Sequence, residues 1–338
     1  MRQWGCYPRA EPYVGYGTGD YSRLICRTVY APRHAQSGEL IRGIRGMLAI
    51  PAPRTHVQAS IDDMPLNTVQ IGVSEVYDKV DRTRDLGSEY AISDSAGYLD
   101  LVAEHRLVPG IHRVSYSVAN RKPVSANLYT IPASAKVGII SDVDDTIMIT
   151  QAPVPWKAAY NLLFLDPKKK ASVPGMSVLF TRIADLFPGA PFFYLSTSPW
   201  NVESSIRNFI TDHGFPEGPL LLRDLDPRPK TFVPTGPQHK LEFAEQLMAD
   251  FPDMKFILVG DDGQKDPTTY ATIARRYPGR VLAIVIRELS PRESTGLASV
   301  TGLTSTQPTP VTDVPVFTGT TGSNILKTML PYLKTVLR

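Results

Sequence analysis

A chain of 338 residues that is 42% hydrophobic and 20% charged is long enough for two folded domains and too apolar to be intrinsically disordered. Its 36 basic and 33 acidic side chains leave a net charge of +3, too mild to point to nucleic acid but compatible with an anionic substrate or membrane surface. Cys6 and Cys26, the two cysteines, make neither a disulfide framework nor a metal-type spacing, and no run of about 18 apolar residues is present to span a bilayer. The start, Met1-Arg2-Gln3-Trp4-Gly5-Cys6-Tyr7-Pro8, lacks the apolar segment of a secretory signal. A cytoplasmic protein with at most peripheral membrane contact is therefore expected.

Up to about residue 132 the pattern is short and alternating. Strands are predicted over 23–30, 68–73, 98–102, 112–118 and 126–131. Ser95-Ala96-Gly97 and Val108-Pro109-Gly110 are turn signals between them. This grammar favours a small antiparallel sandwich over 1–132. Asp62-Asp63 is an acidic pair that could form a site, but a solvated turn before a strand is the favoured reading.

From Lys136 the pattern changes to strand, helix, strand. Apolar strands are predicted at 137–141, 191–195, 220–222, 255–259 and 281–286, and helices at 175–187, 201–213, 240–251 and 266–277. Pro267 suits a first helical turn. Nearly all-apolar strands alternating with helices predict an α/β domain over 133–295 whose parallel sheet is covered on both faces. The remainder, 296–338, reads as a Ser/Thr/Gly/Pro-rich linker over 296–315 followed by an amphipathic helix over 324–338, which Pro331 should kink or interrupt. Docking of that helix on the protein's own surface is expected, with membrane binding as the alternative.

Ligand sites in such sheets lie beyond the C-terminal ends of the strands. The first strand ends in Asp142-Val143-Asp144-Asp145-Thr146, the second in Ser196-Thr197-Ser198, and the fourth in Gly260-Asp261-Asp262, with Asp266 close behind. Lys240 stands at the predicted start of the helix before the fourth strand. Acids gathered at the end of buried strands call for a cation, and the pair Asp142 and Asp144 suits Mg²⁺-assisted phosphoryl transfer, in which one acid attacks and the other moves the proton. Taken singly, each has a plain structural reading: Asp144, Asp145, Ser196 and Asp266 as caps or turn residues, Lys240 as a solvated helix residue. A cation at a helix start is mildly unfavourable, which favours a role for Lys240 in a site.

These four elements, in this order, resemble the haloacid dehalogenase phosphatase superfamily. The resemblance implies that Asp142 is the nucleophile, that Asp144 is the acid and base, and that Ser196 and Lys240 hold the phosphoryl oxygens. It implies a Mg²⁺ cofactor on Asp142, on Asp144 through its backbone carbonyl, and on Asp261. Asp262 and Asp266 would bind the metal directly, hold its waters or position Lys240. Gly138-Ile139-Ile140-Ser141-Asp142, Tyr194-Leu195-Ser196-Thr197-Ser198-Pro199-Trp200, Gly218-Pro219-Leu220-Leu221-Leu222-Arg223-Asp224, His239-Lys240 and Gly260-Asp261-Asp262-Gly263-Gln264-Lys265-Asp266-Pro267 are similar to the actin-patch type of Mg²⁺-dependent phosphatidate phosphatase. So is the early Gly15-Tyr16-Gly17-Thr18-Gly19, which is typical of bacterial relatives. Asp145 stands where the yeast-type motif has glycine, and Asp262 where serine is common.

The resemblance implies release of phosphate from phosphatidate or another lipid phosphate. Only short insertions follow the first and second motifs, so an open site without a large lid is expected, suited to a phosphate on a bilayer. The first insertion carries Val154-Pro155-Trp156-Lys157 and Leu162-Leu163-Phe164-Leu165-Asp166-Pro167-Lys168-Lys169-Lys170. Three such lysines would attract an anionic surface at about 1 kcal/mol each. Two alternatives remain at this stage: the same chemistry on a protein or nucleic-acid phosphate, and a noncatalytic scaffold that keeps the fold. No nucleic-acid-recognition motif is present.

Overall fold

A computed structural model describes residues 6–32, 50–66, 68–71, 91–119, 121–149, 171–223, 236–263, 265–290 and 312–337. The described residues up to Ala133 form one compact unit, and those from Ser134 onward form a second. The chain is mixed α/β, with a parallel sheet in the second unit. The insertion at 154–170, expected to meet a charged surface, lies outside the described residues.

The first unit is built on a ten-stranded sheet: β1 (Cys6–Pro12), β2 (Gly15–Gly17), β3 (Tyr21–Pro32), β4 (His56–Ile61), β5 (Met64–Pro65), β6 (Thr68–Ile71), β7 (Ala91–Ile92), β8 (Tyr98–Glu104), β9 (Gly110–Val118) and β10 (Val124–Thr130). Its order is β5-β4-β9-β10-β2-β3-β8-β6, with β1 on β3 and β7 on β4. All of its pairs are antiparallel except β2 with β10. Alternation buries Leu24, Leu99, Leu101, Val114, Tyr116 and Leu128 in one core. The glycine-rich string at 15–19 has a steric cause: a Cβ on Gly17 would sit 2.2 Å from the Tyr21 carbonyl oxygen. Asp62 and Asp63 are exposed and form the two-residue turn between β4 and β5. Their φ values of 47° and 67° are those of a hairpin turn that matches strand twist. The Asp62 carboxylate accepts from the Arg113 amide (3.0 Å) and pairs with His112 Nδ1 (2.6 Å), so this acidic pair is a turn.

The second unit carries six parallel strands: β11 (Val137–Asp142), β14 (Phe192–Pro199), β15 (Leu220–Arg223), β16 (Lys255–Asp261), β17 (Val281–Arg287) and β18 (Val316–Gly319), in the order β15-β14-β11-β16-β17-β18. A small hairpin of β12 (Met148–Ile149) and β13 (Ala171–Ser172) follows β11. Ile139, Ile140, Phe193, Leu195, Ile257, Leu258 and Val285 are fully buried. Apolar strands of this kind are covered on both faces. The helices are α1 (Met176–Leu186), α2 (Glu203–Asp212), α3 (Gly236–Asp250), α4 (Asp266–Arg276) and α5 (Gly322–Val336), with a 3₁₀ turn at Trp200–Val202. Phe180 of α1 packs on Phe192 and Phe215, with ring centres 5.6 and 5.4 Å away.

Three expectations are corrected here. Helix α3 begins at Gly236 rather than 240, because Gly236-Pro237 already opens the helix while the apolar period starts only at Leu241. Pro331 lies inside α5 without interrupting it, since Ile325, Met329 and Leu333 anchor the helix on both sides. The segment 296–338, read as a linker and a helix alone, also contributes β18, which begins just past the 296–315 linker and pairs with β17 from Ile284 to Arg287.

Helix α5 is docked on the protein. The Tyr332 hydroxyl donates to the Leu282 carbonyl (2.8 Å), and the Tyr332 ring lies 5.5 Å from that of Phe317. Its start meets the start of α1 so closely that a Cβ on Gly322 would lie 2.2 Å from the Gly175 carbonyl oxygen. Ile325 is fully buried, so Ile325→Ala is expected to destabilise the protein by about 2–5 kcal/mol in urea denaturation, as core truncations do.

Candidate active site

Parallel pairing brings the acids to one sheet edge. Ser141 of β11 stands opposite Tyr194 on one side and Val259 on the other, so Asp142, Ser196 and Asp261 emerge from adjacent strand ends. The register of β14 against β15 shifts between Leu195 and Pro199, where the serines lie. Bulges of this kind commonly re-aim side chains at sites.

Asp142, Asp261 and Asp266 are buried and each offers a carboxylate oxygen within 4.8 Å of the others. The Lys240 ammonium, reached from α3, lies 2.8 Å from Asp142 Oδ1 and 2.5 Å from Asp266 Oδ1. Thr146 spans the set, its hydroxyl 3.1 Å from Asp142 Oδ2 and 3.4 Å from Asp261 Oδ2. Asp266 Oδ2 also accepts from the Asp261 amide at 3.4 Å. This closeness depends on Gly260: a Cβ there would sit 2.3 Å from Asp266 Oδ2 and 2.8 Å from the Tyr270 ring.

Three carboxylates face one ammonium, and burial raises two of them, Asp142 and Asp261. Burial pushes Asp142 up to about 8, opposed by Lys240 and aided by Asp266 and Asp144. Burial, then Asp266 and Asp142, hold Asp261 well above the usual carboxylate range. Burial alone would lower Lys240, but Asp142, Asp266 and Asp261 outweigh it and keep the ammonium charged. Asp142 and Asp261 titrate together rather than singly. An oxygen-rich, net-negative donor set is what a hard divalent cation takes, so the chemistry of Asp142, Asp261 and Asp266 fits Mg²⁺.

The sign of the pH dependence follows. A raised folded-state value means that between about 4 and 8 the folded protein holds protons that the unfolded chain does not. Without a cation, this set's contribution to stability falls as pH rises through that window. A bound cation offsets most where the carboxylates are ionised. The thermal midpoint is therefore expected to rise more on adding Mg²⁺ at pH 8 than at pH 5, as differential scanning fluorimetry would read.

Asp144 is half-buried beside this cluster, and its Oδ2 accepts from both serines: Ser196 Oγ at 2.8 Å and Ser198 Oγ at 3.2 Å. The Ser198 amide donates to Ser196 Oγ (3.0 Å). Asp262 stands apart from the cluster, its Oδ1 accepting from the Leu289 amide at 2.8 Å. Sequence reasoning did not single out Ser198 as a partner of Asp144, nor Thr146 as a bridge between two acids. It missed Arg287, whose Nη1 donates to the Asp145 carbonyl at 2.8 Å. The signal for Arg287 was a charge closing an otherwise apolar strand.

Residues 137–288 match the family described as "Phosphatidate phosphatase APP1, catalytic domain". Phosphatidate phosphatase APP1 of Saccharomyces cerevisiae is 29% identical over 211 residues, 60% of this chain and 35% of that protein. Uncharacterized protein C29B5.04c of Schizosaccharomyces pombe is 26% identical over 176 residues, 51% of this chain and 29% of that protein. The chain thus spans about a third of the length of these curated relatives. A solved structure of an uncharacterized Listeria monocytogenes protein covers 59% of this chain and 99% of its own, at 14% identity and a TM-score of 0.39, too low to carry an argument about fold. Over residues 137–288, the chain is thus similar to the APP1-type phosphatidate phosphatase catalytic-domain family.

Proposed function

We propose that this protein is a Mg²⁺-dependent phosphoric monoester hydrolase that converts phosphatidate, or a closely related lipid phosphate, to diacylglycerol and phosphate through an aspartyl-phosphate. The observation that carries the reading is the junction of Asp142, Asp261, Asp266 and Lys240 at the end of β11, within residues that match a family named for that activity. We read the parallel sheet as the haloacid dehalogenase-like core and the first unit as an accessory sandwich. Cytoplasmic location with peripheral membrane contact belongs to the same proposal.

In this reading an Asp142 carboxylate oxygen attacks phosphorus, and the bond to the lipid oxygen breaks as Asp144 delivers a proton to it. Asp144, now ionised, takes a proton from water. That water's oxygen attacks the aspartyl-phosphate, releasing phosphate and restoring Asp142. Ser196 and Ser198 orient the Asp144 carboxyl from one side, leaving its other oxygen for the proton. Proton transfer of this kind typically contributes about 10²–10⁴-fold. Lys240 lowers the cost of ionising the buried Asp142 and sets positive charge beside the transferred group. Mg²⁺ held by Asp142, Asp261 and Asp266 would supply charge neutralisation at the phosphoryl oxygens.

Competition tests the substrate. Vesicles containing phosphatidate are mixed with a phosphoserine peptide and p-nitrophenyl phosphate, and each product is quantified. Preferential hydrolysis of the lipid supports the proposal. Preference for the peptide would keep the chemistry and overturn the lipid assignment.

A further inference from the structure

We infer that Arg287 is a positioning residue, holding in place the turn that delivers Asp142 and Asp144. The inference rests on the reading of those two residues as the reacting acids. Arg287 ends β17, an otherwise apolar strand, and is 3% exposed. Its guanidinium crosses to the loop after β11 and donates to the Asp145 carbonyl at 2.8 Å. Its own backbone carbonyl accepts from the Asp262 amide at 3.0 Å. One residue thereby ties the loop after β11 to the loop after β16, the two loops that hold Asp144 and Asp262–Asp266.

The held carbonyl belongs to a residue in an unfavourable conformation. Asp145 has φ of 56°, a left-handed geometry that suits glycine and that aspartate tolerates at a cost. The turn is closed from the other side by the Asp145 amide on the Met148 carbonyl (2.8 Å), while the Ile147 and Met148 amides share the Val143 carbonyl. A turn with glycine at this position could keep its shape unaided. With Asp145 in that position, the charged donor of Arg287 opposes relaxation of the backbone that carries Asp142 and Asp144 on either side of Val143. A hydrogen bond from a charged group is worth roughly 10- to 100-fold in an equilibrium.

The test is a double-mutant cycle on the full chain with Arg287→Met and Asp145→Gly, assayed on p-nitrophenyl phosphate with Mg²⁺. Arg287→Met is expected to lower kcat by about 10- to 100-fold with KM changed less than about threefold. It is also expected to reduce the Mg²⁺-induced rise in thermal midpoint. Arg287→Lys, which keeps a cationic donor, recovers part of the loss. Asp145→Gly should act at least about fivefold more favourably on kcat in the Arg287→Met background than in the wild type. A kcat for folded Arg287→Met within twofold of wild type overturns the inference, as does an identical effect of Asp145→Gly in both backgrounds. If Arg287→Met does not fold, Arg287→Gln takes its place in the cycle. Should the wild type hydrolyse no phosphomonoester, the proposed function fails separately. The same cycle read as thermal midpoints then decides the inference: non-additive shifts support it and additive shifts overturn it.

Discussion

Lys240→Met is expected to abolish turnover and to destabilise the protein by about 3–5 kcal/mol, the loss typical of removing one partner from a buried ion pair. The ammonium is 2% exposed and touches both Asp142 and Asp266, with Asp261 close enough to contribute. Methionine fills similar volume but leaves three buried carboxylates facing one another. Asp142 and Asp261 can then stay buried only by holding protons. The loss should therefore be larger at pH 8 than at pH 5, because at the lower pH the raised carboxylates already carry protons. Urea denaturation at the two pH values is the check. A variant as stable as the wild type at pH 8 would show that the ammonium does not hold the acids together. For activity, losing a preorganised charge beside the transferred group costs about 10²–10³-fold, and the disturbed pocket adds to it.

Gly260→Ala is the second large effect. Its added methyl would collide with Asp266 Oδ2 at 2.3 Å, Asp266 Cβ at 2.8 Å and the Tyr270 ring at 2.8 Å. None of these can retreat freely. Asp266 is bound to Lys240, and the Tyr270 hydroxyl donates to the Val259 carbonyl at 2.9 Å. Overpacking of this kind typically costs about 1–3 kcal/mol, and displacement of about 1 Å at a site can cost about 10²-fold in rate. The expected result is a folded protein with a lowered thermal midpoint and weaker Mg²⁺-induced stabilisation. Unchanged stabilisation by Mg²⁺ would mean that Asp266 lies off the cation site.

Much of the second unit is legible in the chain because its strands are continuous apolar runs that stop at polar residues. Val137–Asp142 and Lys255–Asp261 are clear in this way, and the strand-end rule for parallel sheets is enough to gather Asp142, Asp261 and Asp266 at one edge. Residue type alone does not separate Asp262 from the clustered acids. Asp262 lies one residue past the end of the strand that delivers Asp261. Asp262 binds the Leu289 amide instead. Strand β18 was hidden because four residues in a Ser, Thr and Pro-rich stretch carry no period, and its backbone is ordered by the edge of β17. In the first unit, Met64–Pro65 and Ala91–Ile92 are two-residue strands, too short for alternation to register. Ser198, Thr146 and Arg287 take their roles from loop geometry and from long-range pairing, which spacing along the chain does not encode.

Phosphate release from phosphatidate in mixed micelles, measured for the wild type and Asp142→Asn with Mg²⁺ and with EDTA, tests the proposed chemistry most directly. Asp142→Asn removes the attacking oxygen's charge while keeping its shape, and it relieves the buried negative excess, so the variant should fold at least as well as the wild type. Mg²⁺-dependent release by the wild type, abolished by EDTA and by Asp142→Asn, is the predicted result. Release that persists in folded Asp142→Asn would contradict the role of Asp142 as nucleophile.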